Sequence, residues 1–398
     1  VFVPRTAPGD RARIHVRKSR PRWAEGSLLE LVEPASERRA PLCVLYDRCG
    51  GCQLQHLPYG QQLEWKGQVV ADALQRIGRL DGIEPPEVVG SPRESGYRSR
   101  VTFTLRRLRG GRVVAGFHGL DRPAHVVDVV GECVLPRTEV VEAWRALRRG
   151  WGEGAALLPS AGRLRLTLRA EDDGVALVVE GGRPGWRAEE LRGAVPALAA
   201  VWHVAGEAAG APELVGGTES GSGAPAFTQV NTGAATLLVE HVLERAAAVR
   251  PAAERPHGVD AYCGDGVYAR ELAARGWQVT GIELDTAACT AARRHAREAG
   301  LDDFEVLEGA VENRLEDALP AHLLVVNPPR AGLDPEVVRI IAEHRPPHVV
   351  YVSCDPATLA RDLAGLRAAY EVESIRCFDL FPQTAHVETV VALTSRKG

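Results

Sequence analysis

The sequence predicts an α/β protein with a mostly parallel sheet in its carboxy-terminal half, behind a β-rich region. Three observations carry this. After Pro225, strand-like and helix-like segments alternate. A Gly-rich turn joins the first of those strands to its helix. Before Pro225 the chain reads mostly as strands. Regular strand–helix alternation buries a parallel sheet between two helical layers. A ligand of such a sheet sits beyond the carboxyl ends of its strands.

Taken in order, VFVP, ARIHVRK and GSLLELVE alternate like strands, with PGD as a turn between the first two. They read as a small OB-like β-barrel module. An amphipathic helix is expected from Tyr59 to about Ile77. From Gly96 to about Glu180 come RVTFTLRRL, VVAGFHG, HVVDVV, RLRLTLRA and VALVVE, a strand-dominated stretch. GGTESGSGAP, from Gly216 to Pro225, has the composition of a flexible linker. Beyond it, a helix from about Thr232 to Val249 precedes strand HGVDAY, helix VYARELAARG, strand QVTGIEL and helix TAACTAARRHAREAG. DFEVLEG, LLVVNP, HVVYVSC, YEVESIRCFDLF and ETVVALTSR supply the remaining strands. Three domains are therefore expected, at residues 1–38, 39–215 and 216–398.

A chain of 398 residues supports two or three cores of this kind. With 45% hydrophobic and 25% charged residues, the composition is that of a soluble globular protein. No apolar run reaches the roughly 18 residues of a membrane span, and no signal-peptide pattern opens the chain. A cytoplasmic location is expected, with no membrane association and no obligate protein partner. The chain contains no Met and begins at Val1 inside a strand-like segment, so an incomplete amino terminus is expected. The net charge of −4 does not announce a polyanion partner, but its distribution does. Val1 to Ala40 carries nine Arg/Lys against five Asp/Glu, and Arg93 to Arg112 carries seven Arg against one Glu. A local basic stripe binds phosphates whatever the total charge.

Three groups of residues carry chemistry. DAYCGDGVYARELA is a strand, a Gly-rich turn and a helix start, in which Gly264 and Gly266 let a ligand approach the backbone. Glu283 ends the next strand, where a carboxylate accepts hydrogen bonds from ribose hydroxyls. Such a turn serves NAD or S-adenosylmethionine equally, although Ala269 stands where the dinucleotide pattern has its third glycine. Cys354 ends the hydrophobic strand HVVYVSC, and DPATLARDL then starts a helix with Asp355 as N-cap. A helix amino terminus favours a thiolate, which makes Cys354 a candidate nucleophile. Cys263, inside the Gly-rich turn, reads as structural. NPPRAGL gives a stiff turn presenting Asn327, and Glu388 opens the last strand as a candidate base. Cys43, Cys49 and Cys52 form C-x5-C-G-G-C, with Cys133 downstream. Four thiolates suit a [4Fe–4S] cluster or a zinc ion.

Together FTQVN (Phe227 to Asn231), DAYCGDG, VVNPPRAGL, SCDPATLARDL and HVET (His386 to Thr389) resemble the RNA uracil-C5 methyltransferases. The likeness is to their iron–sulfur, TRAM-domain branch, which includes the 23S rRNA enzymes, and it runs from about Val1 to Thr394. It implies a class I methyltransferase fold with a Rossmann-like, mixed seven-stranded sheet, a β-rich central domain and a partial TRAM barrel. It implies Cys354 as nucleophile on uracil C6 and Glu388 as the base that removes the C5 proton. Gln229, Tyr262 and Glu283 match cofactor-contacting positions, with S-adenosylmethionine as methyl donor. Among the cysteines it favours [4Fe–4S] on Cys43, Cys49, Cys52 and Cys133. Three positions depart from the pattern: Asn327 replaces the usual Asp, Val267 an Asn or Thr, and Ala310 a polar residue. The expected substrate is RNA, 23S rRNA ahead of the tRNA T-loop. A non-catalytic RNA-binding or assembly factor is the reading of a different class.

Overall fold

The computed structural model describes residues 1–21, 23–206, 212–218, 229–249, 251 and 255–396. The chain opens with strands β1 (Arg11–Arg20) and β2 (Trp23–Glu33), followed by helix α1 (Tyr59–Arg76) and the short strand β3 (Val88–Val89). Next come β4 (Arg100–Arg107), β5 (Val113–His118), β6 (Val126–Asp128), α2 (Thr138–Gly150), β7 (Arg163–Glu171), β8 (Gly174–Glu180), α3 (Ala188–Ala194), β9 (Leu198–Val204) and β10 (Glu213–Gly217). The last stretch holds α4 (Thr232–Ala248), β11 (His257–Ala261), α5 (Val267–Ala273), β12 (Gln278–Glu283), α6 (Thr286–Glu298) and β13 (Phe304–Glu308). It ends with α7 (Val311–Arg314), β14 (Leu323–Val326), α8 (Pro335–His344), β15 (His348–Ser353), α9 (Pro356–Leu366), β16 (Tyr370–Phe378) and β17 (Glu388–Ser395).

Contacts gather these elements into two compact units. The first comprises residues 1–62, 93–232 and 382–385, the second 63–92, 233–381 and 386–398. This division differs from the sequence expectation of 1–38, 39–215 and 216–398. Gly216 and Gly217, expected in a linker, finish strand β10, and residues 63–92 belong with the later half of the chain. The rest of the expected linker, residues 219–225, lies outside the described residues.

In the first unit, β1 and β2 form an antiparallel hairpin, with Phe2 bridged to Glu25. Among the described residues this hairpin is what stands where a partial barrel was expected. A seven-stranded sheet follows in the order β10-β9-β8-β7-β4-β5-β6, antiparallel except between β8 and β9. One face packs on α2, a helix that the strand-dominated sequence reading did not include. Val140, Ala143, Trp144 and Leu147 fall at helical spacing and are buried. Trp144 stacks on Phe103 with ring centroids 4.1 Å apart, and its indole N–H donates to Val129 O at 2.8 Å.

The second unit holds an eight-stranded sheet in the order β13-β12-β11-β14-β15-β17-β16-β3. The seven strands expected from the resemblance, β11 to β17, are all present, and β3 adds an eighth by pairing parallel to β16. Strands β13 through β15 run parallel, and β17 is antiparallel to both its neighbours. Alternate residues of β14 feed two separate cores: Leu324 and Val326 pack with α1, α8 and α9, and Leu323 and Val325 with α4, α5 and α6. These two helical layers explain why LLVV is a continuous apolar run rather than an alternating one.

Candidate active site

The carboxyl ends of β11, β12, β14 and β15 carry most of the residues singled out from the sequence. At the end of β11, Tyr262 takes a positive φ of 64°, and Gly264 and Gly266 follow at 57° and 82°. A Cβ on Gly266 would come within 2.9 Å of the Phe304 ring, so this position must be glycine for the turn to pack. A Cβ on Gly264 would meet nothing within 4 Å, so the backbone there is open to a ligand. Glu283 faces this turn. Its carboxylate accepts from Gly264 N at 2.9 Å and from Asp285 N at 2.8 Å, which fixes it at the mouth of the sheet. An anchored carboxylate beside an open glycine turn fits the ribose of a nucleoside ligand.

Asp260, beneath that turn, was not singled out in the sequence. It is fully buried and accepts from Ala269 N at 2.9 Å through Oδ2, while Oδ1 has no partner among the described residues. Burial, with the Glu283 and Asp265 carboxylates nearby, pushes its carboxyl up to about 7.

Cys354 sits between the last residue of β15 and the first turn of α9, half-buried and free of any disulfide. Asp355 caps α9 by accepting from Ala357 N at 2.9 Å and Thr358 N at 3.0 Å. Ser353 pairs with Thr389 across the antiparallel β15–β17 ladder. One step further along each strand puts Cys354 beside Glu388. This answers a question the sequence left open, since β17 lies next to β15 although β16 intervenes in the chain. Glu388 is 7% exposed, and burial pushes its carboxyl up to about 7, against the opposing pull of Arg330.

The helix end alone was expected to lower the Cys354 thiol. The net direction is upward, because burial and the Glu388 carboxylate outweigh the Arg330 cation. Arg330, from the NPPRAGL turn, therefore acts on both Cys354 and Glu388. The sequence reading did not include it in the site, and no local pattern marks it as part of one.

The NPPRAGL turn is held from below by a network on Asp362. Its Oδ2 accepts from Leu333 N at 2.8 Å and from the Tyr351 hydroxyl at 2.7 Å, and its Oδ1 accepts from Arg361 Nε at 2.8 Å. Arg361 in turn donates to Ala331 O and Leu333 O. Asn327 follows β14, half-buried, with its backbone N–H donating to Ala261 O at 3.2 Å.

Of the other expected residues, Gln229 is half-buried and belongs to the first unit, while Phe227 and Thr228 lie outside the described residues. Val267 opens α5, 37% exposed, and Ala310 caps α7 without a side-chain hydrogen bond. Cys263 is buried in the turn, and burial pushes its thiol up, as suits a structural residue.

Cys43, Cys49, Cys52 and Cys133 come together within the first unit. All four line one cavity of about 190 Å³, with Tyr46, Gln55 and Arg98 also on its wall. Burial pushes all four thiols up, Cys52 to about 11 and Cys133 to about 12. Among the described residues, no three His, Cys, Asp or Glu side chains come together as they would around one metal ion. Four thiols lining one cavity are soft donors of the kind that iron or zinc takes.

Residues 222–396 match the family model described as tRNA (uracil-5-)-methyltransferase. A protein of Thermosynechococcus vestitus named as an RNA methyltransferase is 33% identical, over 99% of this chain and 93% of its own length. One of Nitratidesulfovibrio vulgaris, named in the same way, is 32% identical over 100% of this chain and 92% of its length. Among solved structures, the tRNA (uracil-54, C5)-methyltransferase of Pyrococcus abyssi, in complex with S-adenosyl-L-homocysteine, superposes with a TM-score of 0.72. That pair shares 25% identity and covers 98% of this chain and 95% of the other. No described helix is long and apolar enough to cross a membrane.

Proposed function

The chain belongs to the RNA uracil-C5 methyltransferase family and is S-adenosylmethionine-dependent, and from that premise we propose that it methylates one uridine through a covalent bond from Cys354. The β15–β17 register, which sets Cys354 beside Glu388, carries this reading. Uracil C5 is a poor nucleophile on its own. Addition of the Cys354 thiolate to C6 moves the C5–C6 electron pair towards O4 and makes C5 an enolate carbon. S-adenosylmethionine, when bound, supplies an electrophilic methyl group. Glu388 then takes the C5 proton, the electron pair re-forms the C5–C6 double bond, and the C6–S bond breaks to free the thiolate. One hard substitution is thus divided into easier steps.

The chain's own residues have separate tasks. Glu283 and the open Gly264–Gly266 turn bind the nucleoside part of the methyl donor. Tyr262 and Asn327 are assigned further contacts with it, and Gln229 keeps the role that the resemblance implies. Arg330 opposes both the neutral thiol and the neutral Glu388 carboxyl, holding each closer to its reactive form. The target base must leave its stack to reach the sheet edge.

Cys43, Cys49, Cys52 and Cys133 would hold a [4Fe–4S] cluster, which here serves structure or RNA positioning because the methyl transfer needs no electron. The preferred substrate is 23S rRNA, on the sequence motifs. The likeness to a tRNA uracil-54 enzyme favours tRNA as the second reading. Methyl transfer to unmodified 23S rRNA and tRNA transcripts, followed by mapping of 5-methyluridine, decides between them. Transfer to neither, with RNA binding kept, would leave the non-catalytic reading.

A further inference from the structure

The basic stripe from Arg93 to Arg112 is sorted by the sheet of the first unit into two kinds of arginine. Arg107 points to the helix-covered side and is consumed by the fold. It donates to the carbonyls of Gly154 at 3.0 Å, Pro159 at 3.0 Å and Ala155 at 2.8 Å. Arg100 and Arg106 point to the opposite face with Thr102 and Thr104. There the β4–β7 register sets Arg100 against Arg169, Thr102 against Thr167, Thr104 against Arg165, and Arg106 against Arg163. Two of these four rungs are arginine directly opposite arginine, an arrangement that destabilises a sheet.

The two ends of this ladder differ. At one end, Arg169 is 6% exposed and ion-paired with Glu171. At the other end Arg106 and Arg163 are both exposed. Arg165, beside them, reaches Glu180 at 3.6 Å, so part of its charge is offset. Arg106 donates to the Ala124 carbonyl at 2.7 Å, and neither Arg106 nor Arg163 meets a carboxylate among the described residues. Arg109, Arg112 and Arg122 are exposed on the adjoining turns. Repulsion between facing guanidinium groups is relieved when a polyanion lies across them, and guanidinium groups match phosphate oxygens in geometry.

We propose that the Arg106–Arg163 end of the β4–β7 face docks the sugar-phosphate backbone of the RNA substrate, in a unit that does not contain Cys354. The inference rests on the RNA reading above and adds a surface to it. Contacts of this kind position the RNA without reading its sequence.

The test uses the full chain and two paired variants, Arg106→Gln/Arg163→Gln and Arg106→Lys/Arg163→Lys. Dissociation constants for unmodified 23S rRNA and tRNA transcripts are measured across a salt series. The Gln pair should bind roughly tenfold more weakly at low salt, and its slope of log affinity against log salt should fall by about 2. The Lys pair, which keeps both charges, should retain the slope. S-adenosylhomocysteine affinity should be unchanged in both, and thermal stability of the Gln pair should not fall, since a repulsion has been removed. An unchanged slope in the Gln pair overturns the inference, as does an equal loss in the Lys pair. If the unaltered protein methylates RNA while the Gln pair binds normally, only this surface is wrong. If the unaltered protein neither binds nor methylates RNA, the preceding reading fails with it.

Discussion

The proposed reacting pair was legible as residues but not as chemistry. Cys354 at a strand end and Glu388 before the last strand could be picked out from SCDPATLARDL and HVET. Their ionisation could not, because it depends on burial and on Arg330, which arrive by tertiary packing. Asp260 was missed for the same reason, since its isolation beneath the Gly-rich turn is a property of the folded sheet. Two predictions belong to this scale. Glu388 is held at about 7 by burial, so the step that removes the C5 proton should accelerate as pH rises through 7 and level off above it. Glu388→Gln should slow that step by roughly 10²–10⁴-fold and remove the pH dependence, as read in single-turnover assays. Asp260 also has a folded-state value raised to about 7, so the stability it permits is full below about 4 and is lost as pH rises through 7. Asp260→Asn should therefore melt above the unaltered protein at pH 8, with the difference shrinking towards pH 4. A constant difference across that range would count against the buried, partly protonated carboxyl.

At the scale of elements, the alternation after Pro225 predicted β11 to β17 with α5, α6 and α9 between them, since each strand's apolar run and each turn is local information, while α7 and α8 were not singled out. What failed was non-local or overshadowed. Helix α2 has a clear helical spacing at Val140, Ala143, Trp144 and Leu147, but it was read with the strands on either side. Strand β10 ends in Gly216 and Gly217, residues whose type signals a linker and whose pairing with β9 overrides it. Strand β3 is two residues long and exists only through β16. The NPPRAGL turn is the element whose sequence was most specific and whose reason was least visible. Gly332 has a φ of 78°, and a Cβ there would lie 2.5 Å from Asp362 Oδ2. Gly332→Ala should cost roughly 1–3 kcal/mol in denaturant unfolding. Asp362→Ala, which strands the Leu333 N–H and the Tyr351 hydroxyl, should cost about 2–4 kcal/mol. Unfolding midpoints indistinguishable from the unaltered protein would show that the network does not hold the turn.

For the whole molecule, charge and cysteine spacing marked two regions without fixing their structure. Four cysteines up to 90 residues apart line one cavity of about 190 Å³ in the first unit, a convergence that spacing alone left open between iron–sulfur and zinc. Protein purified without oxygen should be brown with about four irons per chain, and removal of the iron should lower its melting temperature. Stoichiometric zinc without visible absorbance would overturn the cluster. The interleaving of the two units was not legible, because residues 63–92 and 382–385 each leave their sequence neighbours to join the other unit.

The most direct test of the account is trapping on RNA that carries 5-fluorouridine, where fluorine at C5 leaves no proton for Glu388 to remove. In the presence of S-adenosylmethionine, the protein should form a stable adduct that mass spectrometry assigns to the Cys354 peptide, and Cys354→Ala should form none. Normal methylation of uridine by Cys354→Ala, or an adduct on any other residue, would contradict it.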